Sequence, residues 1–240
     1  MRLLFLGEDM NVELFEDFFE DFTEINNEDK KYLLQNTFYK EYEKGITIHD
    51  GSGCSGVILV KSGTLRVYIS SEDGKDITIF RLHEGDICML SASCVSTSIA
   101  FDVSIDTEDD VSLYLISGPA FAYVADKNPK VKIYALEATI NHFSDAMWVI
   151  QQILFMSLDK RLAIFLLDEV NRLGTTEINL THEQIAKYIG SAREVVSRVL
   201  KYFANEGIVE VYRKSIKVLD KNKLKKFLWK KKSLKDFLCF

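Results

Sequence analysis

The segment Thr181-His-Glu-Gln-Ile-Ala-Lys-Tyr-Ile-Gly-Ser-Ala-Arg-Glu-Val-Val-Ser-Arg-Val-Leu-Lys-Tyr-Phe203 constrains this chain most, because it reads as two short helices punctuated by one glycine. Thr181 and Gln184 have the spacing of a capping box, in which a hydroxyl and an amide each satisfy an otherwise orphan N–H at a helix start. Gly190 supplies the positive φ that a tight exit from the first helix requires. Ser191 and Glu194 repeat the capping spacing and are expected to open a second helix. On that helix Val195, Val196, Val199, Leu200 and Phe203 recur at helical intervals and predict the buried side. Glu194, Ser197, Arg198 and Lys201 fall at i, i+3, i+4 and i+7, which places a carboxylate, a hydroxyl and two cations on one stripe. The pattern is a helix-turn-helix.

Such a stripe has the chemistry needed to read base edges. Arginine can donate a bidentate pair to guanine O6 and N7, and a carboxylate can accept from cytosine N4. Arg198 is therefore the first candidate reader, although an isolated stripe of this kind also suits a solvated helix surface whose Glu194 serves only its cap. The residues that follow favour the first reading. Gly207 ends the helical period, Ile208–Tyr212 alternates like a strand, Arg213–Ser215 makes a polar turn, and Ile216–Leu219 reads as a second strand. Two helices and a hairpin predict a winged helix-turn-helix. Residues 174–240 carry 15 Lys and Arg against 7 Asp and Glu, a net +8, inside a chain whose net charge is −6. A basic module within an acidic chain suits double-stranded DNA, whose phosphates must be neutralised. Arg193, Lys201, Lys214 and Lys217 are candidate phosphate contacts, with Thr181 at the head of the first helix.

A length of 240 residues with 47% hydrophobic content allows two packed domains. The apolar run Met1–Leu6 is too short for a signal peptide and no stretch reaches the length of a membrane span, so the cytoplasm is the expected compartment and no membrane partner is expected. Cys54, Cys88, Cys94 and Cys239 lack paired spacing, which points away from a disulfide framework or a structural zinc site.

Two short acidic helices are expected near Val12–Phe22 and Asn27–Gln35. From about Phe38 to Ile116 the texture turns to short β-type runs, Val57–Val60, Thr64–Ile69, Ile77–Phe80 and Val111–Ile116. Gly45, Gly51, Gly63, Gly74 and Gly85 punctuate them, and Asp73-Gly74 is a hairpin dipeptide. This predicts an antiparallel β-roll. A long helix is expected from about Pro119 to Phe155, broken near Ser157 and resumed over Leu158–Leu173, with Gly174 as its stop. Val131, Tyr134, Ala135, Ala138, Phe143, Met147, Ile150 and Leu154 form its apolar face, extended enough for both the roll and a second subunit, or for packing within the chain alone. The expected organisation is α+β: a sensor domain over residues 1–118, a dimerisation and connector helix over 119–156, and a winged helix-turn-helix over 157–240.

This order of parts resembles the CRP/FNR family of bacterial transcription regulators, whose sensor is a cyclic-nucleotide-binding-like jelly roll. The resemblance covers roughly residues 27–219 and is most specific at Gly63-Thr-Leu-Arg-Val-Tyr68, His83-Glu-Gly-Asp86, Asp159-Lys-Arg-Leu162 and Thr181 through Gly207. The family's FNR-type Glu-x-x-Ser-Arg motif stands here as Glu194-Val-Val-Ser197-Arg198. The resemblance implies a symmetric homodimer on a TTGA-like inverted repeat, with RNA polymerase as a further partner.

For the effector the resemblance points away from the family's known ligands. Cyclic-nucleotide binders use a Gly-Glu pair and a downstream Arg for ribose and phosphate, whereas this chain has Cys88-Met89 and then Val95–Ala100, with no Arg or Lys between Arg81 and Lys127. A buried phosphate without a cation is costly, so cyclic AMP does not fit. The iron–sulfur branch uses clustered N-terminal cysteines, and no cysteine precedes Cys54 here, so that cofactor does not fit either. Cys88, Met89, Ser91, Ser93, Cys94 and Thr97 remain as a candidate pocket for a small neutral or aromatic ligand. The same segment also suits a redox switch, a haem or metal site with His83 or His49, or buried cysteines acting as small hydrophobes.

The basic tail over 222–240 alternates Lys clusters with Leu, Phe and Trp, which suits a helix packing on the DNA-binding domain, a basic strip along the DNA backbone or a membrane-surface element, and packing within the protein is the favoured expectation. A function of another class, a small-molecule-binding or cupin-like barrel whose C-terminal domain only contacts protein, requires a convergent set of His and Glu ligands. His49, His83, His142 and His182 are too scattered for its His-x-His part.

Overall fold

The computed structural model describes residues 4–5, 25–50, 56–71, 76–89 and 103–229. The expected helix at Val12–Phe22, the Asp73-Gly74 turn and the tail beyond Trp229 lie outside them. The chain divides into two compact units, Met1–Trp148 and Val149–Phe240.

In the first unit, β1 (Leu4–Phe5), α1 (Asn27–Gln35), β2 (Thr37–Tyr42), β3 (Thr47–Asp50), β4 (Val57–Ser62), β5 (Leu65–Ser70), β6 (Asp76–Leu82), β7 (Ile87–Cys88), β8 (Ser104–Thr107) and β9 (Val111–Ile116) precede two helices, α2 (Gly118–Lys127) and the start of α3 (Pro129–Phe155). The strands form two antiparallel sheets, ordered β1-β2-β9-β4-β7 and β3-β8-β5-β6. The jelly-roll reading is therefore correct. Strand β4 shows why it reads as an unbroken apolar run. Ile58 and Val60 pack inside the roll with Leu65, Val67 and Ile105, while Val57 and Leu59 pack outside against Leu33, Phe121 and Val131. A strand covered on both faces has no polar side to alternate with. Where β4 begins, Gly56 has φ 99°, and a Cβ there would collide with the Ile116 carbonyl.

One long helix from Pro119 is not what forms. Asn128, at φ −119° and ψ 98°, interrupts it, and Pro129 starts a separate helix. Proline lacks the N–H that a continuing helix needs and pushes the preceding residue out of the helical region. The break is held by its own polar joint: Asn128 Nδ2 donates to the Val124 carbonyl at 2.8 Å and to Asp29 at 3.0 Å, and Asn26, the N-cap of α1, donates to the same carboxylate at 2.7 Å. These hydrogen bonds, foremost that from Asn128, hold the Asp29 carboxyl below its ordinary pKa against the opposing effect of burial.

The single apolar face expected on this helix resolves into two. Val131 and Ala135 are buried, with Tyr134 and Ala138 packed beside them, against the outside of the roll. The other set, Ile133, Leu136, Ile140, Phe143, Met147, Ile150 and Leu154, is 44–67% exposed. Its intervals alternate three and four residues, the 3.5-residue average of a coiled-coil seam. Phe143, Met147, Ile150 and Leu154 thus belong to a stripe different from that of the four residues grouped with them in the sequence.

In the second unit, α4 (Leu158–Leu173), β10 (Glu177–Ile178), α5 (His182–Tyr188), α6 (Arg193–Asn205), β11 (Val209–Val211), β12 (Ile216–Val218) and α7 (Lys221–Trp229) surround one core. Leu162, Leu166, Val196, Leu200, Phe203, Ile208 and Ile216 are at most 1% exposed within it. Gly174, at φ 64°, ends α4 where expected. The two-residue strand β10, absent from the sequence reading, adds to the hairpin as the order β10-β12-β11. Helix α7 buries Leu224 and sets Phe227 edge-on to Phe203 at 5.0 Å, so the described part of the tail packs on its own unit, as expected.

Candidate nucleic-acid interface

The first helix of the pair begins as its sequence dictates. Thr181 Oγ1 accepts from the Gln184 N–H at 3.2 Å, and the Thr181 N–H donates to Gln184 Oε1 at 2.9 Å, completing the capping box. Its end is closed by Gly190 at φ 60°, which allows the Ser191 N–H to reach back to the Ala186 carbonyl at 2.9 Å. That is a Schellman closure, and it needs a residue free to turn left-handed. Arg161 of α4, within the Asp159-Lys-Arg-Leu162 segment, donates through Nη1 to the Ile189 carbonyl at 2.8 Å and ties the end of α5 to the body of the unit. Burial lowers the pKa of this guanidinium.

The second capping box does not form. Ala192, not Ser191, is the N-cap of α6, and it makes no side-chain capping bond. The Ser191 N–H is already spent on closing α5, which moves the helix start by one residue. Glu194 still sits in the first turn of α6, where a carboxylate suits the positive end of the helix.

Along α6 the two sides separate as the spacing predicts. Val196, Leu200 and Phe203 are buried, with Val195 and Val199 partly so. Arg193, Glu194, Arg198 and Lys201 are exposed. Ser197 is half-buried between them, because His182 of α5 approaches its hydroxyl at 2.7 Å through Nδ1. Burial and the nearby charge of Arg193 push the His182 pKa down, which keeps the ring neutral at pH 7. Thr181 is half-buried and engaged in its cap. In sequence His182 is one of four scattered histidines with no motif around it that links it to Ser197. A contact between residues 15 apart that meet across a turn leaves no spacing signal.

The hairpin ends in exposed Arg213 and Lys214, and the Tyr212 N–H donates to the Ser215 carbonyl at 2.8 Å to close it. Lys217 of the central strand β12 stands opposite Glu210 on one neighbouring strand and Glu177 on the other, whereas Arg213 and Lys214 have no cross-strand carboxylate among the described residues.

On the sensor side, Cys88 is fully buried inside the roll and Met89 is 2% exposed among the residues facing the helices. Their side chains are packed in two different cores. Ser91, Ser93, Cys94 and Thr97 lie outside the described residues. One residue before Cys88, the Ile87 carbonyl accepts from His142 Nε2 of α3 at 2.9 Å, and the His142 ring stacks on Phe80 of β6 at 4.4 Å. A cleft of about 310 Å³ opens beside this joint, lined by Phe80, Asp86, Tyr134, His142 and Asp145 among others. Among the described residues no cluster of three or more His, Cys, Asp or Glu could hold a metal, and no helix is long and apolar enough to cross a membrane.

Comparison with known proteins agrees with this geometry. Residues 160–227 match the Crp-like helix-turn-helix domain family, and residues 39–128 match the cyclic nucleotide-binding domain family. The crystal structure of a Eubacterium rectale protein assigned to the crp/fnr family of transcriptional regulators is 41% identical, covering 89% of this chain and 100% of that one, with a TM-score of 0.83. FixK2 from Bradyrhizobium japonicum shares the fold at a TM-score of 0.68 and 20% identity, covering 80% of this chain and 96% of that one. The cAMP-activated global transcriptional regulator CRP of Pasteurella multocida is 21% identical over 78% of this chain and 92% of its own length. The cupin-like alternative is thereby set aside. With a jelly roll, a winged helix-turn-helix and these relatives, the chain belongs to the CRP/FNR family of DNA-binding transcription regulators and is not an enzyme.

Proposed function

We propose that this regulator acts as a homodimer that reads a TTGA-like inverted repeat, with α6 of each subunit in the major groove. The observation carrying this reading is the polar ridge of Glu194, Ser197, Arg198 and Lys201 on a helix whose opposite side is anchored by Val196, Leu200 and Phe203. Arg198 and Glu194 offer the donor pair and the acceptor that guanine and cytosine edges require. Arg193, Lys201, Arg213 and Lys214 are free to meet phosphates on either flank, and Thr181 brings the start of α5 toward the backbone. The half-site preference rests on the Glu194-Val-Val-Ser197-Arg198 motif.

The dimer reading rests on α3. Seven large apolar side chains at coiled-coil spacing stand exposed along a helix of 27 residues. At 44–67% exposure each forgoes roughly half of the about 1.5–3 kcal/mol that full burial is worth. A second copy of the same stripe covers them all at once, and two-fold protein symmetry then matches an inverted repeat. In this reading residues 1–118 are the sensor, 119–156 the connector and 157–240 the DNA-binding domain, working in the cytoplasm with RNA polymerase as partner. The signal enters the roll near Cys88–Thr97 and passes through the His142 joint to α3, shifting the balance between arrangements of the two recognition helices. Neither cyclic AMP nor an iron–sulfur cluster suits that segment.

Selection of bound sequences from random double-stranded DNA by the full-length protein tests the reading. The expected product is an inverted repeat of TTGA-like half-sites separated by about one helical turn, roughly 34–36 Å. A single non-repeated site, or no enrichment, would overturn it.

A further inference from the structure

We propose that His182, the first residue of α5, is a specificity-determining residue: by holding the Ser197 hydroxyl it decides which base edge that serine accepts. The proposal rests on the reading of α6 as the groove-facing helix. A serine hydroxyl carries one proton and two lone pairs and rotates freely, so an unrestrained serine accepts donors and acceptors alike and discriminates poorly. Ser197 is not unrestrained, since its Oγ lies 2.7 Å from His182 Nδ1. One hydrogen-bonding direction of the hydroxyl is thereby committed.

A neutral ring can accept at Nδ1, which a protonated one cannot. Its two tautomers act differently. When Nδ1 is the acceptor, Ser197 gives its proton to the ring and turns lone pairs to the groove, where they suit adenine N6–H or cytosine N4–H. When Nδ1–H is the donor, Ser197 keeps its proton and one lone pair, and its choice between donor and acceptor edges is not narrowed. The discrimination therefore comes from the tautomer whose Nδ1 accepts: there the serine suits adenine N6–H or cytosine N4–H and refuses thymine O4 and guanine O6. The site is built to keep the contact: His182 is held at the start of α5 by the Thr181–Gln184 cap, and Ser197 is held by its neighbour Val196, buried in the core, and by Leu200 one turn on.

The test measures affinities of the full-length protein for its selected operator and for every single-base variant of one half-site. His182→Ala should reduce discrimination about tenfold, the worth of one hydrogen bond, at the one position that Ser197→Ala affects. The double variant should lose no more than Ser197→Ala alone. His182→Asn, whose amide places a polar atom where Nδ1 stands, should retain the preference, whereas His182→Phe, which keeps the ring and removes both nitrogens, should lose it. The proposal is overturned if His182→Ala and His182→Phe weaken all sequences equally, as loss of a phosphate contact would, or if their effect adds in full to that of Ser197→Ala. A wild-type protein indifferent to every half-site base would instead remove the reading of α6 itself, and this proposal with it.

Discussion

Helices α3 and α6 are both amphipathic, yet they turn opposite sides to solvent. On α6 the apolar side is covered by its own unit, and over residues 193–201 what remains exposed is Arg193, Glu194, Arg198 and Lys201. On α3 only Val131 and Ala135 are fully covered, and what remains exposed is a row of Ile, Leu, Phe and Met. The first surface calls for a hydrated, charged partner that presents hydrogen-bonding edges. The second calls for apolar surface of matching period. A helix therefore announces its partner through the face its own domain leaves uncovered, not through its amphipathicity as such.

The largest effect should come from charging the α3 face. Ile140→Glu combined with Phe143→Glu would bury four carboxylates in the proposed dimer seam. At about 3–5 kcal/mol for each uncompensated buried charge, dimerisation should weaken at least a thousandfold. Sedimentation should then show a mass near 27.5 kDa in place of twice that value. A wild-type chain that already sediments as a monomer would break the contrast between the two helices. Next is Arg198→Ala, which should leave folding intact and cost about 1–3 kcal/mol of discrimination at one base pair per half-site. Equal losses on operator and random DNA would make Arg198 a phosphate contact. Smaller again, Lys201→Ala should weaken binding to all sequences alike and lower the slope of log affinity against log salt by about 1 per subunit. A change confined to one base would place Lys201 among the readers.

The smallest effect concerns pH. The His182 pKa is depressed in the fold by burial and by Arg193, so the unfolded chain binds more protons than the folded one. The ring's contribution to stability is present above about 6.5, the unfolded value, and is lost as pH falls below it toward the folded value. Between pH 7 and pH 5 the wild-type protein should lose more stability than His182→Asn in denaturant titrations. Identical pH slopes would mean that the ring titrates alike in both states.

Much of the α6 side of this contrast was readable without coordinates. The Thr181–Gln184 cap, the glycine at 190 and the spacing of Val196, Leu200 and Phe203 are local signals, each decided within a few residues by backbone chemistry. Helices Asn27–Gln35 and Leu158–Leu173 and strand Val111–Ile116 were legible for the same reason. The Asn128-Pro129 break was also written in the chain, and the long apolar period masked it. Other features had no local signature. Ser191 has the right spacing for a cap and fails because Gly190 directs its N–H to α5. Strands β7 and β10 are two residues long and exist only because β4 and β12 offer them edges.

Sequence by itself determined the longer helices and strands, the basic charge of the C-terminal module and the polar ridge of α6, because helix caps, apolar period and net charge depend on near neighbours and composition. Tertiary structure alone decided which half of the α3 apolar residues meets the roll, that Cys88 and Met89 enter different cores, and that His182 meets Ser197. Those outcomes depend on which surfaces arrive together when sheets and helices pack. Chain spacing does not encode that information, because residues brought into contact by packing can lie at any separation along the chain.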